Sequence, residues 1–142
     1  MTTEIRCTNC GSPYPEAGAP YRCPRCLAPF DLPRLPRFDP AGVDERQPGI
    51  WRYHQAFGLD EAAPRVTLGE GNTPLLQGEA FGRRVAFKLE FANPSGSFKD
   101  RGAAVAVSFL RSRGVVEAVE DSSGNAGASF AAYAAAAGMR AR

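Results

Sequence analysis

The residue of this sequence best suited to covalent chemistry is a lysine inside a turn-forming run. The run spans residues 93–102, reads NPSGSFKDRG, and delivers Lys99 to the first turn of a predicted helix. Unpaired amides and the positive dipole end disfavour an ammonium group there, and burial would act in the same direction. A lysine held neutral is a competent nucleophile toward an aldehyde, as Schiff-base formation requires. The alternative is a solvated lysine beside Asp100 at an ordinary helix start.

A second run, residues 121–127, reads DSSGNAG and lies between a predicted strand and a predicted helix. Its glycines permit close backbone approach, and a helix N-terminus offers free N–H groups to an anion. A substrate carboxylate or a phosphate would fit this loop. Ordinary capping by serine or asparagine is the alternative, because those side chains satisfy a helix start without a ligand.

The four cysteines of the chain form two pairs, Cys7-x-x-Cys10 and Cys23-x-x-Cys26, separated by twelve residues. In a chain without an export signal, such pairs favour a metal site over disulfides. Two turns that each present two thiolates complete a tetrahedral zinc site. A redox CxxC or four free thiols are the alternatives. The single histidine, His54, has no acid or cysteine nearby and is interpreted as a surface or packing residue.

The composition excludes some classes of function. The net charge is +2, from 17 basic and 15 acidic residues, which is too balanced to indicate a nucleic-acid binder. No apolar run approaches the roughly 20 residues that a membrane helix needs, and the N-terminus lacks the apolar core of a signal peptide. We therefore expect a cytoplasmic protein. One basic cluster lies near the cysteines: Arg22, Arg25, Arg34 and Arg37.

The chain divides into three parts. Residues 1–30 are predicted to form a zinc-ribbon-like module whose folding energy comes mostly from the metal. Residues 31–77 are rich in proline, which disfavours regular ladders and helices. We therefore expect an irregular arm with short helical pieces, one of them around residues 50–57. Residues 78–142 alternate β and α patterns, which predicts an α/β domain with a parallel sheet.

The α/β part is predicted to contain two strands and two helices. The strands are residues 85–91 and 115–119, and the helices are residues 99–113, ended by Gly114, and a helix capped by Ser122 or Ser123 that runs to Ala137. The two chemical runs would follow consecutive strands of one sheet, where open sheets bind ligands. Residues 139–142 look like the approach to a further strand that does not arrive. Two strands cannot complete a covered parallel sheet, so we expect the chain to be part of a longer protein.

The run at residues 93–102 resembles the lysine motif of fold-type II pyridoxal-phosphate enzymes, the group that contains threonine synthase, threonine dehydratase and cysteine synthase. The run SSGN at residues 122–125 resembles the asparagine loop of that group. LGEGNTPL at residues 68–75 resembles the GEGxTPL segment of threonine synthases, and the aromatic segment at residues 51–53 is similar to theirs. A cysteine-rich N-terminal extension also occurs in some threonine synthases.

The resemblance implies roles for particular residues. Lys99 would carry pyridoxal phosphate and act as the catalytic base, and Asn125 would contact the cofactor ring. Ser122, Ser123, Gly124 and Asn125 would receive the carboxylate of an amino-acid substrate. The loop ends in Ala126-Gly127 where the group more often has Thr-Ser or Thr-Gly. The glycine-rich phosphate loop and the hydroxyl partner of the pyridine nitrogen come later in the group's chains, so these 142 residues alone are expected to be inactive.

Among functions of this group, the resemblance favours conversion of O-phospho-L-homoserine and water to L-threonine and phosphate. The full-length parent protein is expected to be a possible homodimer. A threonine or diaminopropionate ammonia-lyase, or a sulfur-amino-acid synthase, is the nearest alternative. A zinc-ribbon module that recruits a protein or nucleic acid is an alternative from another class, and we expect no nucleic-acid or membrane partner. A structural role for the module, at the arm or at a contact of a possible homodimer, is preferred.

Overall fold

The computed structural model describes residues 4–33 and 38–142. Within these ranges lie six strands: β1 Arg6–Cys7, β2 Phe30–Asp31, β3 Leu75–Ala80, β4 Arg83–Lys88, β5 Glu117–Ala118 and β6 Arg140–Ala141. Two α-helices are present in the same ranges, α1 Lys99–Ser112 and α2 Asn125–Ala136. Short 3-10 helices span Pro40–Gly42, Gly49–Ala56 and Glu90–Ala92. Arg34 and Arg37 of the predicted basic cluster lie outside the described residues.

The cysteine module is built on one antiparallel pair of short strands. β1 pairs with β2 so that Cys7 lies opposite Phe30. The ring of Phe30 meets Tyr14 edge to face, with 4.6 Å between the ring centroids. So few apolar residues bury little surface, and a module of this size needs another source of folding free energy.

The predicted helical piece in the proline-rich part is present as the 3-10 helix Gly49–Ala56, kinked at Tyr53. It ends where Gly58 adopts a left-handed backbone (φ 67°). Its Ile50 and Trp51 are buried, and Trp51 packs edge to face on Phe57 at 5.7 Å. This segment therefore supplies part of the core and is more than a linker.

The prediction that residues 85–91 belong to the parallel sheet is wrong. β4 instead pairs antiparallel with β3 across a turn at Phe81 and Gly82, both in the left-handed region (φ 52° and 68°). Such a two-residue turn matches the twist of a hairpin. In the described residues, this hairpin pairs with no third strand and is exposed on both faces.

The core lies where α1 and α2 pack on each other and on the 3-10 helix. Its buried apolar residues are Ile50, Trp51, Ala104, Val107, Tyr133, Ala134 and Met139. Both helices end as predicted, with Gly114 and Gly138 in the left-handed conformation (φ 74° and 65°) that closes a helix.

One short strand follows each of these helices, and the two strands pair with each other. β5 after α1 pairs in parallel with β6 after α2, with Glu117 opposite Arg140. The expectation that no further strand follows α2 is therefore wrong: residues 140–141 already form it. The described residues hold three two-stranded sheets, and their α/β character agrees with the prediction. In residues 4–33 and 38–142, no helix is long and apolar enough to cross a membrane.

Candidate active site and candidate metal centre

Lys99 is the first residue of α1, as predicted. Its backbone N–H donates to Ser97 Oγ at 3.3 Å, and its Nζ lies 5.0 Å from the centroid of the Phe98 ring. The Lys99 side chain is exposed to solvent. The amine is accordingly open to an incoming aldehyde.

The turn before Lys99 is held in place by hydrogen bonds to Asp100. This carboxylate is fully buried and accepts hydrogen bonds from Ser95 N (2.7 Å), from the Ser95 hydroxyl, and from Ser129 Oγ of α2 (2.6 Å). Gly96 provides the positive φ (82°) that the turn requires. Since buried carboxylates are costly unless they are hydrogen-bonded, these partners stabilise one conformation of the lysine turn.

A polar network joins the lysine run to the segment LGEGNTPL. Arg101 donates two hydrogen bonds of 2.8 Å each to Glu90, and a third of 3.2 Å to Thr73 Oγ1. The Thr73 hydroxyl donates to Glu90 at 2.7 Å, and Asn93 Nδ2 donates to it at 3.2 Å. The hydrogen bonds from Arg101, followed by that from Thr73, lower the pKa of Glu90 to about 2. Glu90 is therefore ionised at neutral pH and holds both segments in place.

The same segment contributes a second buried acid, Glu70. Its carboxylate accepts hydrogen bonds from Leu68 N (3.0 Å), Thr67 Oγ1 (3.1 Å) and the hydroxyl of Tyr133 (2.7 Å). Burial, followed by the neighbouring Glu70, raises the pKa of Tyr133 well above its usual range. Tyr133 consequently stays protonated and donates to Glu70.

The loop at residues 122–125 is exposed and leads directly into α2. The prediction that Ser122 or Ser123 caps this helix through its side chain is wrong: Gly124 is the N-cap residue and makes no side-chain hydrogen bond there. The Ser122 hydroxyl instead accepts from Gly124 N at 3.2 Å. A Cβ at Gly127 would lie 2.5 Å from Ser122 O, so glycine at this position lets the loop fold back on the helix.

The predicted site residues thus occupy two helix N-termini. Lys99 begins α1 and Asn125 begins α2, and a hydrogen bond between Asp100 and Ser129 joins the first turn of α1 to the second turn of α2. Six polar residues that support the site were not predicted from the sequence: Glu70, Thr73, Glu90, Arg101, Ser129 and Tyr133. Glu70, Thr73 and Arg101 lie inside the two quoted motifs, and that position is a usable signal. The pairing of Glu70 with Tyr133 has no local signature.

The four cysteine side chains converge. Their sulfur atoms all lie within 4.8 Å of one another, with Cys7 to Cys26 at 3.4 Å and Cys10 to Cys23 at 3.7 Å. Zinc–sulfur bonds of about 2.3 Å in a tetrahedron place sulfurs about 3.8 Å apart, so the set fits a tetrathiolate metal ion. A disulfide requires about 2.05 Å, and all four residues are free cysteines.

The two cysteine turns share one backbone geometry. Gly11 N donates to Cys7 O at 3.1 Å, and Leu27 N donates to Cys23 O at 2.8 Å. Gly11 and Leu27 both adopt positive φ (68° and 60°), although Leu27 carries a side chain. Hydrogen bonding with the side chain and then with the backbone of Ser12 lowers the pKa of the Cys10 thiol to about 6. A lowered pKa favours the thiolate, which is the form that binds metal.

The module is attached to the end of α1 through Arg113. Arg113 Nε donates to Gly18 O at 2.6 Å, and Gly18 N donates to Arg113 O at 3.0 Å. The guanidinium carbon lies 4.9 Å from the ring centroid of Tyr14 and 5.3 Å from that of Phe109. Cation–π contacts and a charged hydrogen bond therefore join the cysteine module to the helix that begins at Lys99.

Comparison with known proteins gives consistent relatives. The chain is 44% identical over 95 residues to a threonine synthase of Halalkalibacterium halodurans, covering 64% of this chain and 27% of the relative. It is 47% identical over 94 residues to a threonine synthase of Mycobacterium leprae, covering 63% and 26%. A threonine synthase of Methanocaldococcus jannaschii is 34% identical over 145 residues, covering 95% and 36%.

The last of these alignments covers nearly all of this chain and so includes most of the cysteine module. The chain spans about a quarter to a third of the length of these curated relatives. The profile of the family described as pyridoxal-phosphate dependent enzyme matches residues 66–142, which is more than half of the chain and contains both helix N-termini. On this match, the chain belongs to the pyridoxal-phosphate-dependent enzyme family.

Proposed function

We propose that the full-length protein encoded by the reading frame containing these residues is a pyridoxal-phosphate-dependent lyase of the threonine-synthase type. Its reaction would convert O-phospho-L-homoserine and water to L-threonine and phosphate. The observation that carries the proposal is the pair of exposed helix N-termini, with Lys99 at one and Asn125 at the other. The printed names of the relatives support the choice of substrate.

In this proposal Lys99 binds the cofactor and takes the proton from the substrate's α-carbon. An exposed amine at the start of α1 fits the attachment of an aldehyde, and a lysine released by the substrate can serve as a general base. The bound cofactor supplies an electron sink for the negative charge that develops at the α-carbon.

Asn125 is proposed to contact the cofactor ring, and the exposed loop Ser122, Ser123, Gly124 and Asn125 is proposed to receive the substrate carboxylate. The N–H groups at the start of α2 suit an anion because the helix dipole is positive at that end. The Ser122 hydroxyl accepts from Gly124 N, which gives this short loop a defined shape before any ligand arrives. The proposed small-molecule partner is therefore an amino-acid substrate whose carboxylate binds to this loop.

The test is phosphate release from O-phospho-L-homoserine by the full-length protein loaded with pyridoxal phosphate. We expect release by the wild-type protein and its loss in Lys99→Ala. The control is Arg84→Ala on the exposed β4, which also removes a basic side chain and should keep the activity. Cofactor binding without phosphate release would instead support an ammonia-lyase or a sulfur-amino-acid synthase. Release that persists in Lys99→Ala would contradict the role given to this lysine.

We further propose that Cys7, Cys10, Cys23 and Cys26 bind one structural zinc ion. The convergence of the four sulfurs within 4.8 Å supports this assignment. The attachment of the module to α1 through Arg113 favours a structural role over recruitment of a protein or nucleic acid. Four thiols kept reduced for metal are typical of the cytoplasm, which is the location we propose. A homodimer of the full-length protein remains part of the proposal, testable by its mass in solution.

A further inference from the structure

The two N-termini of the proposed active site are joined by a buried hydrogen bond. Ser129 Oγ donates to Asp100 Oδ1 at 2.6 Å, and neither residue is exposed to solvent. Asp100 directly follows Lys99, and Ser129 lies one helical turn after Asn125, about 6 Å along the axis of α2. The bond therefore connects the turn that carries the lysine to α2, one helical turn after the asparagine.

A second bond of the same kind holds α2 one turn further on. Tyr133 follows Ser129 by four residues, so both side chains lie on one face of α2. Tyr133 donates to the buried carboxylate of Glu70 at 2.7 Å. The Ser129 bond holds α2 against α1, and the Tyr133 bond holds α2 against the segment that contains Glu70.

The two buried acids, Glu70 and Asp100, hold α2 to different parts of the chain. Glu70 holds the middle of α2 to the segment at residues 67–71, away from both helix N-termini. Asp100 also accepts from Ser95 N and the Ser95 hydroxyl, and so belongs to the turn that presents Lys99. Of these two bonds, only that between Asp100 and Ser129 joins the lysine turn to α2 directly, since Glu70 reaches the lysine run through its neighbour Gly71, whose N–H donates to Asn93 Oδ1.

We propose that Asp100 and Ser129 are positioning residues that fix the separation of Lys99 from Asn125 and thereby the geometry of the cofactor site. This inference rests on the proposed cofactor roles of Lys99 and Asn125, although it does not depend on the identity of the substrate. A displacement of about 1 Å at an active site can cost about 100-fold in rate. Loss of the bond should therefore affect the cofactor site more than the stability of the fold.

The test compares Ser129→Ala with Ser108→Ala in the full-length protein. Ser108 is a matched control because it is also fully buried in a helix, and its hydroxyl bonds Ala104 O (2.7 Å) and Val66 N (2.9 Å) without touching either N-terminus. The readouts are the melting temperature, the dissociation constant of pyridoxal phosphate, and the amount of cofactor trapped on Lys99 by borohydride, measured as the mass of its peptide.

Both variants should lower the melting temperature by similar amounts. Ser129→Ala should weaken cofactor binding at least fivefold and reduce trapping on Lys99, whereas Ser108→Ala should change each by less than twofold. Ser129→Thr, which keeps the hydroxyl, should recover most of the binding. Equal cofactor affinity in the two alanine variants would overturn the inference, and so would a wild-type protein that fails to bind the cofactor. Absence of phosphate release alone would overturn only the proposed substrate.

Discussion

Arg101 and Glu90 form a two-pronged ion pair, with Arg101 Nε and Nη2 each 2.8 Å from a different carboxylate oxygen of Glu90. Arg101 lies two residues after Lys99, and Glu90 lies at the end of the β3–β4 hairpin. Glu90 also accepts a hydrogen bond from the hydroxyl of Thr73, which belongs to the segment that precedes the hairpin. Three stretches that are separate in the sequence are thus joined immediately beside the proposed cofactor lysine.

Glu90→Gln should destabilise the protein in a pH-dependent way. Hydrogen bonds to charged groups contribute roughly 1.5–3 kcal/mol each to stability, so we expect a loss of about 2 kcal/mol at pH 7. Because the pKa of Glu90 falls from 4.5 to about 2 on folding, its stabilisation is complete above pH 4.5 and is lost as the pH falls toward 2. The measurement is the free energy of urea unfolding across this range.

The difference in unfolding free energy between the wild type and Glu90→Gln should therefore shrink between pH 4.5 and 2. Glu79→Gln is the control, since Glu79 is an exposed residue of β3. It should change the unfolding free energy by less than about 0.5 kcal/mol. A wild-type-to-Gln difference that stays constant across the window would show that Glu90 is not held ionised by Arg101.

Gly127→Ala should displace the loop at residues 122–125. The added Cβ would meet Ser122 O at 2.5 Å and Glu120 Oε2 at 3.2 Å. Alanine normally stabilises a helix by about 1 kcal/mol relative to glycine, and here the collision should cancel that gain. Gly102→Ala in α1 is the control, because its Cβ would meet nothing within 4 Å. Urea unfolding should show stabilisation in Gly102→Ala only; equal stabilisation in both would contradict the close approach.

The cysteine cluster should bind one zinc ion per chain. The cobalt form should show the visible absorption of a tetrathiolate complex, and a chelator should unfold residues 4–31 while the helices persist. Cys10→Ser should reduce metal content, because it removes one of four ligands. Ser12→Ala keeps all four thiolates and should still bind one ion. Metal analysis and the cobalt spectrum check these outcomes, and full zinc content in Cys10→Ser would argue against a four-cysteine site.

Arg113→Ala should uncouple the cysteine module from α1. The variant loses the 2.6 Å bond to Gly18 O and the contacts with Tyr14 and Phe109, at an expected cost of about 1–3 kcal/mol. In the wild type, removal of zinc should lower the melting temperature of the helical part as well. In Arg113→Ala it should not, whereas Arg84→Ala on the exposed β4 should behave as the wild type. Calorimetry with and without chelator distinguishes these cases.

The features that sequence predicted correctly depend on local signals. Gly114 and Gly138 marked the ends of α1 and α2, because helices commonly end at a glycine in the left-handed conformation. The spacing of the cysteines placed four sulfurs together, because a two-residue gap already determines how one turn presents its thiols. The position of Lys99 at the start of a helix followed from the turn-forming residues before it.

The features that sequence did not predict depend on distant partners. β3 has the sequence LLQGEA, which shows no alternation, and its turn uses Phe81 at a positive φ where glycine or asparagine is usual. Glu70 and Tyr133 are 63 residues apart, and Asp100 and Ser129 are 29 apart. A buried acid is indistinguishable from an exposed one until its hydrogen-bond donor is known.

The unpaired edges of the β3–β4 hairpin have a practical consequence for handling the isolated 142 residues. β3 and β4 each present six residues with an outer edge that pairs with nothing in the described part of the chain. Leu75, Leu76 and Phe87 are also about half exposed along these strands. Unpaired backbone groups beside apolar side chains are a template for strand pairing between molecules. Concentrated preparations of this chain by itself should therefore aggregate through the hairpin, and Leu76→Lys should raise its solubility limit.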